Sequence, residues 1–302
     1  ALLAAVNPVL GIYTLMVAVP AAALVTSSVY MNVSTTSALS LAAGDGLSGV
    51  AADLRPQALV LLVLLVGLIQ LLAGVFRLGF FVRFVSNAVM TGFLNGLAVL
   101  IILGQLGELT GFQSRFGNNV VRALNLLLRP REIDIPTTII GVLTLALIIV
   151  ALRTPLRRFA FIIAIGTATI ALVLLTRAVG GSLFGYGLDW QSVRTVGDIA
   201  TIPRALPSLA LPSFALPLLL PVVILPALSV AIIGLIQGAG VSQGYPNPDG
   251  KYPDVSRDFL GQGVANLAAG LVSGIPAGGS ISGTVLMLSA GATSRWANLL
   301  AG

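Results

Sequence analysis

The sequence predicts an all-α polytopic membrane protein, and three observations carry that reading. Of the 302 residues, 57% are hydrophobic and only 9% are charged. A soluble domain carries roughly a quarter charged residues, so this chain has too few to cover a water-facing surface. Apolar stretches of helix length recur from one end to the other, which excludes a soluble domain held by a single anchor. The 16 basic and 10 acidic residues fall almost wholly in the connections between those stretches. The net charge of +6 therefore reads as arginines anchoring spans at lipid headgroups, not as a nucleic-acid surface.

The elements follow in order. Pro8–Ser27 is a first span, opened by a proline suited to a first helical turn. Ser34–Gly44 is only partly apolar and too short to cross a hydrocarbon layer of ~30 Å at ~1.5 Å per residue. Pro56–Val75 is long enough. So is Phe81–Leu106, but its Asn87, Gly92, Asn95 and Gln105 suit a helix packed on other helices, since lipid would leave the amides unpaired. Arg115–Glu132 is basic and mixed, an expected interfacial or loop helix. Thr137–Leu152 and Leu156–Leu175 are spans hinged between Arg153 and Pro155 and flanked by Arg157 and Arg158. Residues 180–217, rich in Gly, Ser and Pro, read as a long extramembrane connection. Beyond it come a span at Leu218–Ser242, a turn-rich loop at Gly244–Asp254 and an apolar helix at Phe259–Leu271. A glycine-rich break, Ser273–Ser280, precedes Ile281–Ala290, which is again too short to cross. The sequence opens on Ala1 and stops close to apolar helical sequence, which reads as part of a longer chain without a signal-peptide pattern.

The chain has no cysteine and no histidine. Disulfides, thiol nucleophiles and histidine metal ligands are absent, and so is the usual general base near neutral pH. No aspartate or glutamate falls inside any assigned span, so no buried carboxylate is expected to complete an acid–base pair or a metal site. Neither an enzyme, a cofactor nor a metal centre is expected.

Two short, interrupted segments in one hydrophobic chain point to a transporter binding site. They also resemble each other. A shift of 247 residues lays 34–44 over 281–291, where Leu39, Leu41, Ala43 and Gly44 meet identical residues and Thr35 and Ser37 meet Ser282 and Thr284. The match suggests inverted repeats. A helix N-terminus offers orphan N–H donors and about half a positive charge. Two such ends meeting at mid-membrane form an anion site without a cationic side chain. The candidate substrate-binding residues are Ser34, Thr35 and Thr36 at one end and Gly279, Ser280, Ile281, Ser282 and Gly283 at the other, where Gly278 and Gly279 permit close approach to the backbone.

Three motifs carry a family resemblance. Asn-Pro-Val-Leu-Gly-Ile-Tyr (7–13) resembles the opening of the second helix of the SulP family, the sulfate-permease-like anion transporters. Leu78 to Ser86, continuing through Thr91 to Gly96 and Leu103 to Gln105, resembles that family's most characteristic stretch. Ser256 to Gly263, with Asn266 and then Gly278 to Ser282, resembles a third. The resemblance implies fourteen membrane segments in two inverted repeats of seven, with a mobile core that carries substrate against a gate. It implies that residues 1–179 form a first repeat lacking its first helix, 180–217 join the repeats, and 218–302 begin the second. The short segments become the third and tenth, and the first segment, the last four and a cytoplasmic STAS domain fall outside this chain. The resemblance further implies secondary active transport of small inorganic anions such as sulfate or bicarbonate by an elevator-like movement, a homodimer, and a multi-pass location in a bacterial inner membrane. Lipid and the anion are the expected partners, and nucleic acid is not.

Departures from the family pattern matter. Ser34-Thr35-Thr36 stand where Gly-Pro-Thr is usual, and Gly283 stands where arginine is common, which removes a fixed positive charge. Gln237, in Gly-Leu-Ile-Gln-Gly-Ala-Gly, replaces a usual Glu or Asp, and an amide neither titrates nor binds sodium well alone. The expectation is an exchanger or uncoupled carrier. The alternatives are an uncoupled anion channel, or a carrier of dicarboxylates or nucleobases on the same fold. Alternating loops place Arg77, Arg83, Arg153, Arg157, Arg158, Lys251 and Arg257 on the expected cytoplasmic side, opposite Arg115, Arg122, Arg129 and Arg131.

Overall fold

The computed structural model describes residues 7, 9–84, 87–112, 119–178, 193, 207, 209 and 216–302. Its helices are α1 (Val9–Val25), α2 (Ser37–Gly46), α3 (Arg55–Val75), α4 (Asn87–Thr110), α5 (Asn119–Leu128), α6 (Ile135–Leu152), α7 (Ala160–Ala178), α8 (Leu216–Gly244), α9 (Val255–Leu271), α10 (Ile281–Ser289) and α11 (Trp296–Ala301). Short 3₁₀ turns occupy Leu78–Phe84, Pro130–Glu132 and Pro155–Phe159. Among the described residues two strands, β1 (Asn32–Thr35) and β2 (Ala277–Ser280), lie between helices. The expected connection at 180–217 and the basic residue Arg115 lie outside the described residues, apart from positions 193, 207 and 209 and the first turn of α8.

Local chemistry sets the helix starts. Asp134 caps α6 by accepting from Thr137 N at 3.0 Å, with Pro136 in the first turn, where a missing N–H costs nothing. Asp254 caps α9 by accepting from Ser256 N at 2.9 Å. Proline also opens α3. Among the described residues, α3, α6 and Leu218–Gly244 of α8 are long and apolar enough to cross a membrane. The expected spans at Pro56–Val75 and Thr137–Leu152 thus hold as α3 and α6, with ends displaced by a turn or less, whereas the helices expected from Phe81 and Leu156 begin at Asn87 and Ala160, after 3₁₀ turns.

The chain divides into two compact units, one of Ala1–Leu94 with Ala200–Gly302 and one of Asn95–Ile199. This division cuts across the expected repeats: α1, α2 and α3 pack with α8 to α11, although sequence places them in different halves. In the first unit α3 packs against both α8 and α9, which also touch each other, and α1 packs against α9. Leu59, Leu62, Val63 and Val66 of α3 join Val223 and Val230 of α8 and Leu39 of α2 in one apolar cluster. The α3–α9 contact is close because small residues line it: a methyl on Gly263 would sit 2.5 Å from Leu71 N. In the second unit α6 and α7 pack together, and only Pro136 and Ala151 of α6 are buried. The expected mixed helix at 115–132 is α5 plus a 3₁₀ turn, with Leu124, Leu127 and Leu128 exposed and Arg129 paired to Glu132 at 3.1 Å.

The strands are the departure from an all-helical reading. β1 and β2 pair antiparallel, with Asn32 opposite Ser280, Val33 opposite Gly279, Ser34 opposite Gly278 and Thr35 opposite Ala277. β1 rests on α1 and β2 on α8, so the ribbon is buried inside the first unit.

Candidate anion site

Each strand runs directly into a short helix, and each helix is capped in the same way. Thr36 accepts from Leu39 N at 3.3 Å at the start of α2, and Ser280 accepts from Gly283 N at 3.1 Å at the start of α10. Both are hydroxyl caps bonded to the third helical residue. Aligning the caps puts Thr36 over Ser280, so the 247-residue offset that best matches the sequences is three residues too long. The slip is close to one helical turn, which brings similar Leu, Ala and Gly positions back into register.

The antiparallel ribbon leaves α2 and α10 departing from its opposite ends, each with its N-terminus at the ribbon. Helix geometry leaves Ser37 and Ala38 N–H at one end, and Ile281 and Ser282 N–H at the other, without an intrahelical carbonyl. The partial positive charges of both helices therefore converge on a buried strand pair. That is the local chemistry an anion needs.

Ser34 is buried in β1 opposite Gly278, and Thr35 ends the strand opposite Ala277. Among the described residues neither hydroxyl has a protein partner. Thr36 is engaged twice, since its hydroxyl also donates to Gln237 Oε1 at 3.1 Å, which ties the cap of α2 to α8. Gln237 is buried. Ser280 Oγ lies 3.3 Å from Ser282 Oγ, and Ser282 is exposed. Ile281 packs against the main apolar cluster, and Gly279 lies against α8. Position 283 is filled by Asn32: a methyl there would fall 2.6 Å from Asn32 Oδ1, and Asn32 Nδ2 donates to Asn298 Oδ1 at 3.0 Å. Gly283 is thus a packing requirement.

Several interior residues lie outside the sequence-based set. Thr284 donates to Ser280 O at 2.7 Å and accepts from Asn32 N at 3.1 Å, clamping α10 to β1. Asn266 of α9 accepts from Ala277 N and donates to Ala277 O, both within 2.8 Å, and fixes the start of β2. The expectation that no carboxylate is buried is corrected by Asp258, in the first turn of α9 and 0% exposed. Its carboxylate accepts from Ser27 N, Ser27 Oγ and Ser28 N at 2.7–3.0 Å and from Ser242 Oγ. Spacing held a clue, because Asp258, Gln262 and Asn266 recur every fourth residue and share one helical face.

The double engagement of Thr36 gives a test. Thr36→Ala is expected to cost about 1 kcal/mol and to lower the unfolding midpoint, whereas Thr36→Ser keeps both bonds and stays near wild type. Equal losses for the two in a thermal unfolding series would show that the hydroxyl bonds carry no weight.

The whole chain resembles known proteins in sequence and in fold. The chain is 29% identical over 304 residues to a probable sulfate transporter of Mycobacterium tuberculosis, a match covering 100% of this chain and 52% of that protein. It thus spans about half the length of the curated relatives it matches. The transmembrane domain of a cyanobacterial bicarbonate transporter, BicA, superposes with a TM-score of 0.70 at 20% identity, over 99% of this chain and 74% of that one. SLC26A9 superposes with a TM-score of 0.73 at 17% identity, over 100% of this chain and 49% of that one. These likenesses identify the fold as the inverted-repeat transporter fold of integral, multi-pass membrane proteins, and the relatives are transporters rather than enzymes. Residues 1–302 match the profile of the sulfate permease family, and the chain belongs to that family.

Proposed function

We propose that the chain forms the substrate-binding part of a secondary active transporter of small inorganic anions, sulfate or bicarbonate, in a bacterial inner membrane. The observation that carries this reading is the pair of hydroxyl-capped helix N-termini at the two ends of one buried ribbon. The anion sits against the free amides of α2 and α10, with Ser34, Thr35 and Ser282 supplying hydroxyls. Substrate crosses by an elevator-like displacement of the unit that holds the ribbon, and the carrier works as a homodimer. The sulfate and bicarbonate relatives support these anions over larger solutes.

Counterflow of radiolabelled anion in proteoliposomes, with the protein at its natural length, tests the reading. Exchange of sulfate or bicarbonate, indifferent to imposed proton and sodium gradients, is expected. Failure to exchange either would overturn it. The indifference follows from Gln237, whose amide has no proton to give up near neutral pH. Gln237→Glu keeps an acceptor for Thr36 and adds a titratable group, so exchange in that variant is expected to change several-fold between about pH 5.5 and 7.5. A flat profile in the variant would remove Gln237 from any coupling position.

A further inference from the structure

The polar face of α9 has one member that the anion site does not explain. Asp258, Gln262 and Asn266 are all wholly buried. The outer two are saturated: Asp258 by Ser27, Ser28 and Ser242, and Asn266 by Gln70, Ala277 and the backbone of Gln262. The middle one is not. Among the described residues neither Nε2 nor Oε1 of Gln262 has a hydrogen-bond partner.

The carboxamide is pressed into a notch on α8 formed by Gly234 and Gly238. A methyl on Gly238 would fall 1.9 Å from Gln262 Nε2, and one on Gly278 of β2 would lie 3.6 Å from Oε1. Gln262 therefore touches both the helix that carries Gln237 and the strand that leads into Ser280. Packing alone does not call for glutamine here. Methionine has nearly the same length and shape and brings no polar atoms to leave unpaired. A buried amide with empty donors and acceptors weakens the conformation that holds it, and favours any other conformation in which it finds partners.

We propose that Gln262 is a positioning residue of the anion site, whose carboxamide bonds the backbone of β2 or α8 when the site is filled and releases it when the site empties. An anion held by the amides of Ile281 and Ser282 pulls on the end of β2. Gly278 and Gly279 place no side chain between that strand and Gln262 or α8, so small shifts of its backbone reach the carboxamide directly. The displaced peptide groups then meet an amide that already stands unpaired beside them. The pairing returns part of the binding energy to the filled state, which a hydrocarbon side chain cannot do. This inference rests on the anion-transport reading.

The test compares wild type with Gln262→Met and Gln262→Leu in proteoliposomes and in detergent, using whichever of sulfate and bicarbonate the wild type exchanges. Without anion both variants are expected to unfold roughly 3 °C higher than wild type. With saturating anion their further stabilisation is expected to be less than half that of wild type, and KM for exchange to rise about tenfold. Variants with unchanged KM and an unchanged anion-induced shift, in liposomes where wild type exchanges, would overturn the inference alone. A lower midpoint in both variants would also overturn it, because the carboxamide would then be holding the empty fold. Wild type that exchanges neither anion would overturn the transport reading and this inference with it.

Discussion

Replacing Asp258 by alanine is expected to disrupt the first unit, while replacing it by asparagine is expected to leave the protein close to wild type. The carboxylate is the point at which three elements meet. Its Oδ1 takes Ser27 N at 2.7 Å, Ser27 Oγ at 2.8 Å and Ser28 N at 3.0 Å, at the end of α1, and its Oδ2 takes Ser242 Oγ on α8. Alanine would leave the backbone N–H groups of Ser27 and Ser28 without an acceptor, while the hydroxyls of Ser27 and Ser242 keep Asp254 O and Gly238 O. Unpaired buried donors cost about 1–3 kcal/mol each, so a loss of at least ~2 kcal/mol is expected, with a fall in midpoint of roughly 6 °C. Asparagine can satisfy the whole cluster. Its oxygen replaces Oδ1, its Nδ2 donates to Ser242 Oγ, and Ser242 directs its own proton to Gly238 O, 2.9 Å away. Fluorescence-detected gel filtration and thermal unfolding of the two variants separate the cases. An asparagine variant as damaged as the alanine variant would show that the charge of Asp258, not its acceptor geometry, is required.

How far the sequence reaches is visible in which residues it misread. Hydropathy and length found α3 and α6 nearly to the residue, because a span is a local property of about twenty side chains. The two short helices were also legible, as apolar runs too brief to cross. The strands before them were not. Ala277-Gly278-Gly279-Ser280 has almost no β propensity, and it becomes a strand because Asn32–Thr35, from the other end of the chain, lies beside it. Asp258 falls one residue before the span assigned at Phe259–Leu271 and reads in sequence only as part of a motif. Its burial depends on the end of α1 folding over it from about 230 positions away, which no window senses. Gln237 was singled out as a missing carboxylate, but its bond to Thr36 required the fold. Gly283 likewise reads as a lost charge in sequence and as a contact with Asn32 in structure.

The same non-local contacts make the backbone of β2 the most sensitive part of the site. Gly279 faces α8 so closely that an added methyl would sit 2.6 Å from Gly238 Cα and 3.1 Å from Gly238 N, with Met31 Sδ at 3.2 Å. Two of those atoms are backbone, so no rotamer change relieves the clash; the strand or the helix must move. Movement of β2 carries Ser280 with it, and with Ser280 go the cap on Gly283 N and the free amides of α10. Movement of α8 instead displaces Gln237 from Thr36. Either way the two helix ends lose their alignment, and displacements of this size are enough to cost about 100-fold where geometry sets the rate. Gly279→Ala is therefore expected to lower the initial rate of anion exchange by more than roughly tenfold. Gly49→Ala is the control, since a methyl there meets nothing within 4 Å, and its rate and midpoint are expected to match wild type. Overpacking also predicts a lower unfolding midpoint for Gly279→Ala, by about 1–3 kcal/mol, so the rate is measured at a temperature where the variant stays folded. Exchange by folded Gly279→Ala within twofold of wild type would mean that the anion is held elsewhere in the unit.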